Sequence, residues 1–130
     1  MNYDELNRLS KIILDACLVV HRELGPGLLE SIYTHCLKSE LESRGVVVQC
    51  KIPMPLVYRG AALDKYFELD MLIENEIIIE AKAVETMHPV YEAQIISYLK
   101  LSDKKLGFLV NFNVSRMKDG FSRFVNNWQD

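Results

Sequence analysis

The stretch Ile77-Ile78-Ile79-Glu80-Ala81-Lys82-Ala83 decides the fold. It is the most apolar run of the chain, it has the length of a strand, and polar segments bound it on both sides. This profile is typical of a central strand that is buried on both faces. Glu80 and Lys82 interrupt the apolar run. Because residues two apart on a strand point to the same face, their carboxylate and ammonium project side by side.

The segments upstream of this strand are mostly extended. Residues 46–52 alternate between apolar and polar side chains, which predicts a strand with one buried face. The elements that connect it to the central strand are a bend or end at Pro53 and Pro55, a short strand 56–58, a turn at Arg59 and Gly60, strand 66–73 and a hairpin loop 74–76.

Helices are predicted at both ends of this strand region. Apolar positions at helical spacing predict an amphipathic helix over 4–24, and Asn2 has the capping-box offset from Glu5. The remaining elements are a break at 25–27, a helix over 29–44 ended by Gly45, a helix from Pro89 to about Leu101, a strand over 106–112 and an ambiguous short element at 121–125. We therefore expect one α/β domain over 1–130, a sandwich around a mixed central sheet.

Composition limits the class of protein. The chain has 130 residues, 49% of them hydrophobic and 25% charged, as expected for a single soluble domain. Residues 12–20 form an apolar run that is too short to span a membrane, and no basic leader precedes it, so we expect a cytoplasmic protein. The net charge of −3 excludes a protein whose whole surface is basic and binds nucleic acid. Any binding of nucleic acid must therefore depend on a local group of positive charges.

The spacing of the cysteines and histidines does not match a known pattern for a metal or redox site. Cys17, Cys36 and Cys50 form no C-x-x-C pair and are interpreted as reduced core residues. A zinc site through His35 and Cys36 stays open as an alternative, although adjacent ligands on a helix point in different directions.

The candidate site joins two strands. Asp70 precedes Glu80 by ten positions across the predicted hairpin, so antiparallel pairing can bring the two carboxylates together beside Lys82. Neighbouring carboxylates repel, and Mg²⁺ or Mn²⁺ would relieve that repulsion. Such an ion polarises a phosphodiester, and Lys82 could steady charge that develops at phosphorus. The alternative is an ordinary ion pair at a solvent-exposed strand end.

Several motifs carry a resemblance to known nucleases. The set Asp70, Glu80, Ala81 and Lys82 resembles the catalytic signature of the PD-(D/E)xK nuclease superfamily, with Leu69 where the signature has proline. The stretch 27–33 matches the G-x-x-E-x-x-Y signature of its GxxExxY family. Residues 94–99 are similar to the Q-x-x-x-Y helix of related nucleases, and the likeness continues through 106–112.

The resemblance implies a restriction-endonuclease-like three-layer sandwich, with a mixed central sheet flanked by helices. It also implies Asp70 and Glu80 as metal ligands, Lys82 as the catalytic lysine and Glu30 as an added acidic ligand. Tyr33 shares a helix face with Glu30, and Gln94 shares one with Tyr98. These last three side chains, Tyr33, Gln94 and Tyr98, are the candidates for positioning substrate or water.

Two main functional hypotheses follow. The first is a Mg²⁺- or Mn²⁺-dependent nuclease that hydrolyses DNA phosphodiester bonds, as a possible homodimer. The second is a catalytically inactive module of the same fold that binds nucleic acid or protein, and the acidic pI and small size favour it. A structural or toxin-related partner protein is a third, weaker reading. Metal-dependent cleavage discriminates between the first two.

Overall fold

The structure, a computed structural model, describes residues 1–129. Its helices and strands, in chain order, are α1 (Tyr3–Leu24), α2 (Glu30–Ser43), β1 (Val48–Tyr58), β2 (Ala61–Ile73), β3 (Ile77–Lys82), α3 (Pro89–Ser102), β4 (Leu106–Asn111), a 3₁₀ turn (Met117–Asp119) and β5 (Phe121–Val125). The five strands form one sheet in sequence order, with β3 and β4 parallel and every other pair antiparallel. The predicted α/β class with a mixed sheet is confirmed.

Apolar side chains cover both faces of the sheet. A larger core joins α1 and α2 to one face, and Ile79 and Ala81 of β3 point into it. A smaller core lies on the other face, where Leu99 of α3 packs with Ile78 and Leu72. The β3 strand is therefore buried on both sides, as its sequence predicts. No helix within residues 1–129 is both long and apolar enough to cross a membrane.

The helix boundaries follow from local chemistry. The Asn2 side chain accepts a hydrogen bond from the Glu5 amide at 2.8 Å and begins α1, as predicted. At the end of α2, Gly45 has a φ of +79°, and the Val46 amide donates to the Leu41 carbonyl at 3.2 Å. This is a Schellman ending, in which glycine adopts the left-handed backbone without steric cost.

The first strand differs from its prediction. Residues 48–58 form one long strand, so the strand does not end at Pro53 or Pro55, where the sequence predicts an end or a bend. Proline is tolerated here because β1 is an edge strand paired only with β2, and the register shifts between Pro55 and Val57. The two-residue turn at Arg59 and Gly60, both with positive φ, is confirmed. The ambiguous element at 121–125 is the opposite edge strand, β5.

The β1–β2 pair changes its buried face partway along. In β1, Cys50 packs against the larger core and Ile52 against the smaller one, although residues two apart normally share a face. In β2, Met71 and Leu69 are divided in the same way. Between the two β1 residues, Lys51 has a φ of +52°, a left-handed backbone within a strand. The alternation of the sheet is thus interrupted at one place on both strands.

Candidate active site

The Asp70 and Glu80 carboxylates meet where β2 and β3 separate. Regular pairing of these strands ends at Met71 and Ile79. Beyond that pair, the Glu80 carboxylate accepts a hydrogen bond from the Asp70 amide at 2.9 Å, and the Asp70 carboxylate accepts one from the Ala81 amide at 3.1 Å. Side-chain oxygens replace the backbone carbonyls of the ladder at this point. The two carboxylates are consequently held at the same place.

Burial favours the protonated form of both acids. Burial raises the pKa of Glu80 to about 8, and the charge of Asp70 contributes to that rise. Burial also raises the pKa of Asp70, against the opposing effects of the Ala81 amide and of Lys82. Glu80 is only 3% exposed. A bound cation would offset the cost of ionising these buried carboxylates.

Glu30 adds a third carboxylate from another element. It is the first residue of α2, and its side chain lies close enough to the strand acids to interact with them electrostatically. Burial raises its pKa, the negative charge of Asp70 raises it further, and Lys82 lowers it. We refer to Glu30, Asp70 and Glu80 as the acidic cluster.

Lys82 lies beside the acidic cluster without forming an ion pair. Its ammonium lies 4.7 Å from the centroid of the Tyr91 ring, a cation–π contact with the third residue of α3. None of the ion pairs found among residues 1–129 includes Lys82. Its charge nevertheless lowers the pKa of both Asp70 and Glu80. The ammonium is near the acids and is available to another anion.

Tyr98 and Gln94 of α3 approach the cluster from the smaller core. Burial raises the pKa of the Tyr98 hydroxyl, as do the charges of Glu80 and Asp70, and a hydrogen bond with Gln94 opposes the rise. The Tyr98 ring stacks on Phe67 with centroids 5.0 Å apart. The structure therefore brings Tyr98 within electrostatic reach of the acids, and Gln94 lies beside Tyr98.

Tyr33 lies apart from this group. It is fully buried and stacks on Phe112, and its hydroxyl donates to the Gly25 carbonyl at 2.5 Å. The same hydroxyl accepts from the Leu28 amide at 3.1 Å. Both partners are backbone groups of the segment that precedes Glu30. Tyr33 anchors this loop, and so it contributes to the site only through the placement of α2.

Sequence reasoning missed Asn111, a buried polar residue at the end of β4. Its amide nitrogen donates to the Val84 carbonyl at 2.9 Å, and its amide oxygen accepts from the Val84 and Asn113 amides at 3.1 Å each. Asn111 also pairs in register with Lys82. It ties down the segment that follows the lysine, and the only sequence signal was a polar residue that ends an apolar strand.

A cavity of about 360 Å³ opens between α2 and the β1–β2 pair. Glu30 and Asp70 line it, whereas Glu80 and Lys82 do not. Asp70 therefore stands at the boundary, with its carboxylate shared between the cavity and the gap between β2 and β3. The cavity is the surface route to the acidic cluster on the α2 side.

The donor set fits some metals better than others. No group of three or more His, Cys, Asp and Glu side chains within 1–129 is arranged to hold an ion, so the alternative of zinc at His35 and Cys36 gains no support. Structural zinc needs four protein ligands, whereas Mg²⁺ commonly takes one or two carboxylates and completes its shell with water and substrate phosphate. Asp70 and Glu80 match this second pattern, with oxygen donors whose repulsion a cation would relieve.

Comparison with known proteins adds one finding. The sequence model of a family described as the PD-(D/E)XK nuclease superfamily matches residues 7–124, a range that includes all of the candidate site residues. No curated protein and no solved structure matches the chain.

Proposed function

The chain belongs to the PD-(D/E)XK nuclease superfamily, and from this premise we propose that it is a divalent-metal-dependent nuclease that hydrolyses DNA phosphodiester bonds. One observation carries the proposal: Asp70 and Glu80 exchange hydrogen bonds with each other's strands where β2 and β3 part. At that point burial raises the pKa of Glu80 to about 8, and the charge of Asp70 adds to the rise. Without a ligand, such buried acids lower the free energy of unfolding. Acids with raised pKa values of this kind are typical of functional sites.

We further place the chain in the GxxExxY family. Residues 27–33 carry that signature, and Glu30 at its centre adds its charge to the acidic cluster. Tyr33, the last residue of the signature, fixes the loop before α2 through its hydroxyl. In this proposal the tyrosine sets the position of Glu30 and does not contact the substrate.

We assign Asp70 and Glu80 as ligands of one Mg²⁺ or Mn²⁺ ion, with Glu30 as an added ligand or water-binding carboxylate. The ion, when bound, would polarise the scissile phosphate and lower the pKa of a bound water. Asp70 and Glu80 hold their positions through backbone amides, so each keeps a free carboxylate oxygen for such a role.

Lys82 and the α3 side chains act on the substrate in this proposal. The Lys82 ammonium has no carboxylate partner within 1–129 and can stabilise negative charge that develops on the phosphoryl oxygens. Tyr98, which interacts electrostatically with both acids, and its hydrogen-bond partner Gln94 offer a hydroxyl and an amide for phosphate or water.

A nuclease assay tests the proposal directly. Wild type and Glu80→Ala are incubated at low salt with Mg²⁺ on single-stranded, duplex and branched DNA, and with EDTA as the metal control. We expect cleavage by the wild type alone, and only with metal. Equal background cleavage by the two proteins would refute the enzyme assignment.

The second candidate is a binding module of the same fold without catalysis. The acidic pI and the small size of the chain favour it. A module of this kind would bind nucleic acid with an affinity that Glu80→Ala does not reduce, because the substitution removes no positive charge that could contact a phosphate. Binding without cleavage, undiminished in Glu80→Ala, would identify it.

A further inference from the structure

The cavity beside the acidic cluster contains two lysines that the proposed chemistry does not use. Lys38 of α2 and Lys51 of β1 line it together with Glu30 and Asp70. A cavity of about 360 Å³ is within the range of small-ligand sites and is large enough for a nucleotide-sized group. The cavity thus offers carboxylates to a metal and ammonium groups to an anion.

Lys51 reaches this cavity because its backbone is unusual. Cys50 and Lys51 are consecutive on β1, yet both line the cavity, whereas consecutive side chains of a regular strand point to opposite faces. The φ of +52° at Lys51 produces this change. Left-handed backbone is unfavourable for a residue with a Cβ, and no chain reversal requires it here because the pairing with β2 continues on both sides.

The two lysines differ in their partners. Lys38 is held by Glu42, with both carboxylate oxygens 3.0 Å from its ammonium. Lys51 is exposed and takes part in none of the ion pairs found in the described part of the chain. It stands beside Asp70, whose pKa its charge lowers. Of the two ammonium groups, Lys51 is therefore the one available to a ligand.

We propose that this cavity is a phosphate subsite in which Lys51 binds the phosphate next to the scissile one on a single DNA strand. The proposal rests on the nuclease function and extends it, because it gives the strand a path from α3, past Asp70, to the cavity between α2 and β1. Lys38 contributes less, since it must leave Glu42 to bind phosphate. The cavity admits one strand, so unpaired DNA is the substrate that enters it.

Binding measured without cleavage tests the subsite. A fluorescently labelled oligothymidylate is titrated by anisotropy with Ca²⁺ in place of Mg²⁺, at several salt concentrations. We expect Lys51→Gln to weaken binding roughly 3- to 10-fold and to reduce the slope of log K against log salt by about 0.7, the value for one lost phosphate contact on a single strand. Lys51→Arg should bind nearly as the wild type does.

Matched variants separate the subsite from general charge effects. Lys65 is exposed on β2 of the same hairpin and does not line the cavity, so Lys65→Gln removes the same charge elsewhere. Lys51→Gly relieves the left-handed backbone and should fold with a melting temperature close to that of the wild type while binding as weakly as Lys51→Gln. Equal losses in the Lys51 and Lys65 variants, no loss in either, or no binding by the wild type would overturn the subsite.

The outcome is distinguishable from that of the nuclease assay. Specific dependence on Lys51 without any metal-dependent cleavage would establish a phosphate contact at Lys51, but it would disprove the enzyme and with it the assignment of that contact to the phosphate next to a scissile one. Cleavage that depends on Glu80, with binding indifferent to Lys51, would leave the enzyme intact and reject the subsite.

Discussion

Two groups of charged side chains in this molecule are arranged in opposite ways. Arg44, at the end of α2, pairs with both Asp15 and Glu40, and these two acids raise the pKa of its guanidinium. In the acidic cluster, the charge of Asp70 raises the pKa of Glu80, while Lys82, a cation near both acids, lies over a tyrosine ring. The charges of the Arg44 group are paired with opposite charges, whereas those of the acidic cluster are not.

The difference separates charges that serve the fold from charges that serve a site. Exposed ion pairs such as those of Arg44 contribute little to the free energy of unfolding, and their charges are already paired without a ligand. Buried acids without a cation partner lower the free energy of unfolding at neutral pH, because the folded chain resists their ionisation. Such an arrangement is typical of functional sites. Variants of the two groups should therefore behave differently.

The largest effect is expected on catalysis. Lys82→Ala should lower the rate of Mg²⁺-dependent cleavage by about 10²–10³-fold, the usual cost of losing one charged group that stabilises the transition state. Metal affinity should change little, because the ammonium acts on phosphate. Single-turnover cleavage measures the rate, and a Mg²⁺ titration of the melting temperature measures the affinity. An unchanged rate would exclude Lys82 from the reaction.

The next effect is on stability and its dependence on pH. The pKa of Glu80, about 8, lies above the ordinary value of 4.5, so the unfolded chain ionises first as the pH rises. This group therefore makes its full contribution to stability below about pH 4.5 and loses it as the pH rises through about 8. Glu80→Gln stays neutral, and its stability advantage over wild type should grow across this interval to roughly 2–4 kcal/mol at pH 9.

Urea unfolding of Glu80→Gln and of wild type at a series of pH values measures this difference in the free energy of unfolding. The difference between the two proteins isolates the one group from all other titrations. A stability difference that does not change between pH 5 and pH 9 would contradict the raised pKa.

A smaller effect of the same kind is expected at Asp70. Burial raises the pKa of Asp70, so Asp70→Asn should raise the melting temperature without metal, by less than Glu80→Gln does. The asparagine oxygen can still accept from the Ala81 amide. Mg²⁺ should stabilise the wild type and not Asp70→Asn. A magnesium shift that survives in the variant would locate the ion elsewhere.

The smallest effect is expected in the Arg44 group. Arg44→Ala should lower the free energy of unfolding by about 0.5–1 kcal/mol, since it removes two surface pairs. Cleavage and the magnesium shift should equal those of wild type. Any loss of metal response in Arg44→Ala would mean that the two groups are coupled, and the comparison between them would fail.

The sequence alone was sufficient to predict the three helices, the central strand and the pairing of the two strand acids. The apolar run at 77–83 and the loop at 74–76 predict the β2–β3 hairpin, and Asp70 and Glu80 lie at equal distances from Asn75 at its tip. Local chemistry is enough for such features: a cap, a glycine after a helix, or alternation on one strand depends on near neighbours in the chain.

Only the tertiary structure decided which residues share the site and which face each strand buries. Tyr33 has the helical spacing of a partner for Glu30, yet it is buried, and its hydroxyl contacts the loop. Lys51 lies in a strand pattern that predicts regular alternation, yet its backbone is left-handed. These outcomes depend on contacts between elements distant in sequence: which side of the sheet each helix covers, and where paired strands separate. Periodicity within one segment carries no information about either.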